Sequence, residues 1–373
     1  MVIELVQHLK ASVHASAIGG MPRIEWFVDT VIDFLTSPIT GIRTRSYWPE
    51  LVAGLLIAAL LFALREPHAN RGLRRFLKFC FPASMWRHRS TWVDWQIIVL
   101  NQFFARSFNV TWRISGAFLA SALLHGLTRV FGPSPHLLTW TPTTLVLYTI
   151  LFGLANDFGY YLFHVASHYN RWLWAFHKVH HSAETLTVLA NVRAHPVEYA
   201  VLGPITAVTT SLVLAPALYL GTGQVTMVDI MGMNLMAVMY CVLGTQLHHS
   251  HIWLSWGRVL EHVLISPAQH QIHHSTAPRH WNRNMGGNFA LWDWMFGTLY
   301  VPNGREELTF GLGVGVKQPY PNGLAAYLLP FWEILPERGK QAIRLRAGHL
   351  LPLLRRPFAA EPHGHPVASQ PPH

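Results

Sequence analysis

Two abutting stretches decide the fold: "TTLVLYTILFGLANDFGYYLF" (residues 143–163), followed without a break by "HVASHYNRWLWAFHKVHHS" (residues 164–182). The first is suited to a bilayer core, which takes about 20 mainly apolar residues per helix. The second sets five histidines, His164, His168, His177, His180 and His181, within a few helical turns. A membrane helix is thus expected to end in a cluster of imidazoles.

Composition supports the membrane reading. Of the 373 residues, 51% are hydrophobic and 12% charged, with a mean hydropathy of +0.23, whereas soluble domains carry about 25% charged residues. The formal charge of +10 sits in short basic blocks beside apolar segments, which suits topology and anionic headgroups and argues against nucleic acid. Cys80 and Cys241 lie far apart in or beside apolar runs, so neither a disulfide framework nor a thiolate metal site is expected. The start, "MVIELVQHLKASVHASAIGG", lacks the pattern of a cleaved signal and reads as an amphipathic interfacial segment.

Hydropathy outlines the remaining spans. Residues 47–64 form the first, followed by a basic loop with Arg65, Arg71, Arg74, Arg75, Lys78, Arg87 and Arg89 that the positive-inside rule makes cytoplasmic. Residues 91–112 are aromatic but interrupted by Asp94, Asn101 and Arg106, and read as interfacial. Residues 114–132 pair with Leu145–Phe163, and 199–220 pair through a "GTGQ" turn with 225–247. Both hairpins return to one face, which gathers 164–198 and the residues from His248 onward. The expected fold is all-α: an integral membrane helical bundle of about four to five spans with a cytoplasmic histidine-rich helical cap. Expected regions are 1–90 (interfacial segment, first span and basic loop), 91–304 (the membrane-embedded domain) and 305–373, with a disordered tail from about 355 whose His363, His365 and His373 are spectators.

Histidine spacing points to metal. His164 and His168 are four apart; His177, His180 and His181 repeat the i, i+3, i+4 pattern, as do His270, His273 and His274, and such spacings share a helix face. "LHHSHI" adds His248, His249 and His251. One zinc takes four ligands, or three and water, so three clusters on one membrane face imply two metals. Imidazole suits zinc, copper, nickel and iron alike. A zinc-protease helix would need Glu directly after the first His, where Val165 stands. Paired haem ligands would lie within the spans rather than at their ends.

"HVASH", "HKVHH" and "HQIHH", with "NDFGYYLFH", "RAHPVE", "SPAQHQIHHS" and "NRNMGGNFALWDWMFGTLY" around them, resemble the three histidine boxes of the fatty acid hydroxylase and sterol desaturase superfamily, over roughly residues 145–301. The resemblance implies His164, His168, His177, His180, His181, His270, His273 and His274 as iron ligands, with His249 as a further one. His251 stands where that family usually has Asn and would be a ligand or a hydrogen-bond donor. His248 and His195 are further candidates at the metal or behind it. Asp157, seven residues before His164, is expected to orient a ligand imidazole. Arg193, His195 and Glu198 match "RxHPxE" with a structural or ligand-supporting role, and Asn288 and Asp293 are expected to hold the cap together.

The function so implied is an oxygen-dependent di-iron lipid hydroxylase: two iron ions, O2 as co-substrate, a membrane lipid as substrate and a separate electron-transfer protein. A desaturase of the same superfamily is the alternative, since both reactions share their first hydrogen abstraction. Outside enzymes stand a histidine-rich membrane metal transporter, disfavoured because the 199–247 hairpin offers only Asp229 as an ionisable path residue, and a non-catalytic lipid-binding member. The expected location is a bacterial inner membrane with the site facing the cytoplasm.

Overall fold

The computed structural model describes residues 48–67, 71–222, 225–230 and 233–341; the expected interfacial N-terminus and the histidine-bearing tail lie outside them. The chain divides into two compact units, Met1–Pro330 and Phe331–His373. In the second, the described residues run to 341 and include a Lys340–Glu337 ion pair of 2.7 Å.

Helix α1 (Trp48–Arg65) is apolar along its length, and Phe62 packs against Phe76 and Phe79 of the basic helix α2 (Leu73–Cys80). Helix α3 runs unbroken from Arg89 to Phe131, about 65 Å at 1.5 Å per residue. This corrects the division at residue 113 into an interfacial piece and a span. Two of the polar residues read as interruptions are helix contacts: Asp94 pairs with Arg193 at 2.7 Å, and Asn101 donates to the carbonyls of Val192 and Ala194.

Helix α4 (Pro142–Tyr169) starts at a Thr141–Thr144 capping box with proline at its first position, and α5 (Arg171–His181) follows almost at once. Helix α6 (Pro196–Leu220) begins the same way, with Pro196 after His195 and a His195–Glu198 capping box, an arrangement that satisfies otherwise orphaned N–H groups. It lies against both α3 and α4. A Cβ at Gly159 would come within 2.9 Å of Thr206 Cα, so glycine permits the close α4–α6 crossing. α4 and α6 are long and apolar enough to cross a membrane. Large apolar side chains on their outer faces are exposed, among them Leu151 and Leu212, as lipid contact requires.

The limb expected over 225–247 is not a span. Among the described residues it holds an extended stretch, a two-residue antiparallel pair (β1 Asp229–Ile230 with β2 Met233–Asn234) and the short α7 (Leu235–Val242). Eight residues of helix reach only about 12 Å against a hydrocarbon core of about 30 Å. Beyond it come α8 (Pro267–His273), α9 (Leu291–Phe296) and α10 (Gly323–Ile334). Val93 and Ile97 of α3, Val179 of α5, and Tyr320, Ala326 and Tyr327 form one buried apolar cluster that fixes α5 to the bundle.

Candidate metal centre

Each histidine box is set by a local capping device. Asn170 ends α4 and caps α5, its Oδ1 accepting from the N–H groups of Trp172 and Leu173, so two boxes meet at one corner. α8 starts at a Ser266–Gln269 capping box braced by Glu261, whose carboxylate accepts from Ser266 Oγ at 2.6 Å. His249 follows a tight turn entered through Gly244, whose φ of 65° is a left-handed conformation that glycine adopts without strain.

All nine histidines inferred as ligands come together, in two sets: His164, His168, His177, His181 and His273, and His180, His249, His270 and His274, the ligand atoms of each set lying within 4.8 Å of one another. The division cuts through the boxes. In α5 the i, i+4 pair His177 and His181 joins the first set while His180 turns to the second. In α8 the pair His270 and His274 joins the second while His273 turns to the first. Helical geometry produces this, because at about 100° per residue positions i+3 and i+4 fall on opposite sides of position i.

The hydrogen bonds show what the imidazoles fit. His164 Nδ1 donates to Met285 O at 2.7 Å, His273 Nδ1 to Arg283 O at 2.8 Å, His180 Nδ1 to Arg193 O at 3.2 Å, and His177 Nδ1 to Glu198 Oε2 at 2.6 Å. A neutral ring donating through Nδ1 presents a lone pair at Nε2. Yet within each set Nε2 atoms face other Nε2 atoms: His177–His181 and His273–His181 at 3.2 Å, His180–His249 and His270–His249 at 3.1 Å, His274–His249 at 3.0 Å. A single N–H shared within a set cannot satisfy so many lone pairs. Nitrogens bound at about 2.0–2.1 Å to one ion stand about 2.9 Å apart in an octahedron and about 3.4 Å in a tetrahedron, and the observed spacings lie between. The donor sets therefore fit two cations.

Burial disfavours protonation of several of the rings. It pushes His181, His270 and His274 well below the ordinary histidine range, helped by the neighbouring imidazoles, and brings His273 down to about 3.

The other candidates are placed elsewhere. His251 Nε2 donates to Phe79 O at 2.7 Å, and His195 caps α6 and donates from Nε2 to Tyr327 O at 3.0 Å; neither belongs to a set. His248 stacks on His270, ring centroids 4.9 Å apart, without joining its set. Asp157 does not orient an imidazole: seven residues of helix separate it from His164 by about 10 Å. It accepts instead from the N–H groups of Asn288 and Phe289, from Asn288 Nδ2 and from Trp292 Nε1.

Glu198 supports a ligand, as its motif implied, and also accepts the His195 N–H at 2.7 Å. Arg193, fully buried, pairs with Asp94 and donates to Val179 O and Ser182 Oγ, which places its own carbonyl against His180. Asp293 accepts from the N–H groups of Met285 and Gly286 and from Thr298 Oγ1, and so holds the carbonyl that orients His164. The roles of Met285 and Arg283 were missed, because a backbone carbonyl has no side-chain signature.

A cavity of about 570 Å³ between α4, α6 and α7 reaches His249 and His270 of the second set. It is of the size that holds a drug-sized ligand, roughly 300–1,000 Å³.

Comparison with known proteins agrees with this geometry. Residues 149–298 match the model of the fatty acid hydroxylase family. The chain is 26% identical over 211 residues to the ornithine lipid hydroxylase OlsE of Rhizobium tropici, covering 55% of this chain and 58% of that one. It is 29% identical over 159 residues to the alkylglycerol monooxygenase of Xenopus tropicalis (43% of this chain, 31% of that one) and 27% identical to the human protein of that name (43% and 32%). The chain thus aligns with less than two thirds of the length of these relatives. No solved structure matches. The interval that matches the fatty acid hydroxylase family, residues 149–298, holds both histidine sets and every group seen to orient them, in agreement with the superfamily that the boxes resemble.

Proposed function

We propose that the chain is an oxygen-dependent di-iron hydroxylase of a membrane lipid. The observation carrying this reading is the pair of imidazole sets whose Nε2 atoms converge at 3.0–3.2 Å, while the Nδ1–H groups of His164, His177, His180 and His273 are held by carbonyls and a carboxylate. His164, His168, His177, His181 and His273 would hold one iron, and His180, His249, His270 and His274 the other. Iron bound there would supply activation of dioxygen and abstraction of hydrogen from an unactivated C–H bond, which side-chain acids and bases cannot achieve.

The chain's own residues do the rest. Glu198 and the Met285, Arg283 and Arg193 carbonyls hold tautomer and ring direction, arrangements that commonly govern metal affinity. Burial of the sets excludes water. The cavity lets a membrane-dissolved substrate reach the second set from between α4 and α6. The overall change is R–H + O2 + two electrons + two protons to R–OH + water, with the electrons supplied by a separate protein. The basic helix α2 favours a cytoplasmic site by the positive-inside rule, consistent with a bacterial inner membrane. Relatives named for ornithine lipid and alkylglycerol support a lipid substrate.

The test is incubation of purified, iron-loaded protein with lipid extract, a chemical reductant and labelled dioxygen. One labelled oxygen atom in a lipid product is expected, lost in His164→Ala and His270→Ala. An unsaturated product without label would favour the desaturase. No oxygen-dependent product from fully iron-loaded protein would contradict the reading.

A further inference from the structure

Resting on that reading, the cavity beside the second histidine set carries information about the substrate. A chamber for plain hydrocarbon would be lined almost wholly by apolar groups. Here Asn156 of α4, Tyr240 of α7 and Gln246 of the turn before His249 all line it. Among the described residues, the Asn156 and Tyr240 side chains make no hydrogen bond. Gln246, 4% exposed, donates to Cys241 O at 3.3 Å, but its carbonyl Oε1 accepts none. Leaving the buried Gln246 oxygen unmatched costs about 1–3 kcal/mol, and the half-buried Asn156 and Tyr240 add further hydrogen-bonding groups to the same wall, so polar groups from three separate elements around one cavity point to a polar ligand. Gln246 is also fixed in place, because a Cβ at Gly54 would meet its Cγ at 2.7 Å.

Charge narrows the class. Among the described residues no Lys or Arg lines the cavity, while two carboxylates, Glu50 and Asp157, do. A phosphate head would find no counter-charge and two like charges in a low-dielectric space.

We propose that the cavity is a head-group site for a phosphate-free lipid whose head bears hydroxyl or amide groups, with Asn156, Tyr240 and Gln246 as its hydrogen-bonding contacts. The carbon oxidised then lies at the head-group end, because the same cavity touches His249 and His270.

The experiment measures binding of three probes to the full chain, stripped of metal by chelator, in detergent: 1-hexadecylglycerol, its 3-phosphate, and its form with both hydroxyls methylated. Wild type should bind the free glycerol form about tenfold or more tighter than either other probe, a difference of about 1.4 kcal/mol. Asn156→Leu and Tyr240→Phe should each reduce the preference over the methylated form to under about threefold without weakening the methylated form itself. Equal or tighter binding of the phosphate, or an undiminished hydroxyl preference in both variants, overturns the proposal. If a variant does not fold, a probe with a photoreactive head should label peptides lining the cavity in wild type, and labelling elsewhere overturns the assignment. Because binding is read without metal, a flat ranking beside an active enzyme rejects the head-group site alone. The expected ranking beside an iron-loaded but inactive protein rejects the hydroxylase reading alone.

Discussion

Replacing Glu198 by glutamine should weaken one metal position and spare the other. Its carboxylate accepts twice, from His177 Nδ1 at 2.6 Å and from the His195 N–H at 2.7 Å. An amide has a single acceptor oxygen. If that oxygen keeps the capping bond, the NH2 group faces His177 and can be satisfied only when Nδ1 becomes the acceptor. The ring proton then moves to Nε2 and points into the first set, where it blocks a ligand. Loss of such a support costs 10–100-fold in metal affinity, about 1.4–2.7 kcal/mol. Competition of Zn²⁺ or Co²⁺ against a chelator, fitted to two sites, should therefore show one site weakened by that factor and one unchanged, since the bonds of Glu198 reach His177 and not the second set. Equal weakening of both sites, or none in folded protein, would refute the assignment of His177 to a separate position.

Further outcomes follow from other contacts. Arg193→Ala leaves Asp94 charged and buried, and should destabilise the protein by about 3–5 kcal/mol, read by thermal or denaturant unfolding. Asp293→Ala frees the Met285–Gly286 loop that positions His164, so metal affinity should fall together with stability. His251→Leu should leave the metal content unchanged, because that ring bonds to Phe79 O; loss of metal would restore it as a ligand. Lowering the pH protonates the unfolded histidines near 6.5 before the buried ones, of which His273 holds out to about 3. Stability supplied by these rings is therefore present above about 6.5 and lost as the pH falls toward 3, with metal released over the same range. Asp293, pushed up to about 6 by burial, opposes this by favouring the folded state as it gains its proton. A metal-free protein whose stability rises steadily from pH 6.5 to 4 would contradict the sign.

The nine imidazoles were legible because helical i, i+3, i+4 spacing is written directly in the residue order, and the resemblance added His249. How they divide was not read, although it follows from the same periodicity: His180 and His273 turn away from their box partners by helical rotation alone. Spacing was overread at Asp157, where a shared helix face was taken for contact without allowing for the rise along the axis. Of the two roles open to His251, ligand or hydrogen-bond donor, the structure has it donating to Phe79 O, a choice of ring direction that adjacency to His249 in a turn could not make. Hydropathy misread residues 225–247, since a Met- and Val-rich run looks the same whether it is helical or extended. It also split α3, two of whose polar residues, Asp94 and Asn101, are satisfied by contact with Arg193 and the 192–194 backbone. The cavity was invisible in sequence because its walls come from segments far apart in the chain.

If these histidines build two separate cation positions, counting the metal they hold will show it. Iron and zinc per chain should be measured in protein purified gently from iron-supplemented cells, alongside His164→Ala and His274→Ala. About two ions are expected per wild-type chain and about one in each variant, with the double variant retaining neither position intact. A folded wild-type protein that takes up no more than one ion when iron is in excess, or variants that still hold two, would contradict it.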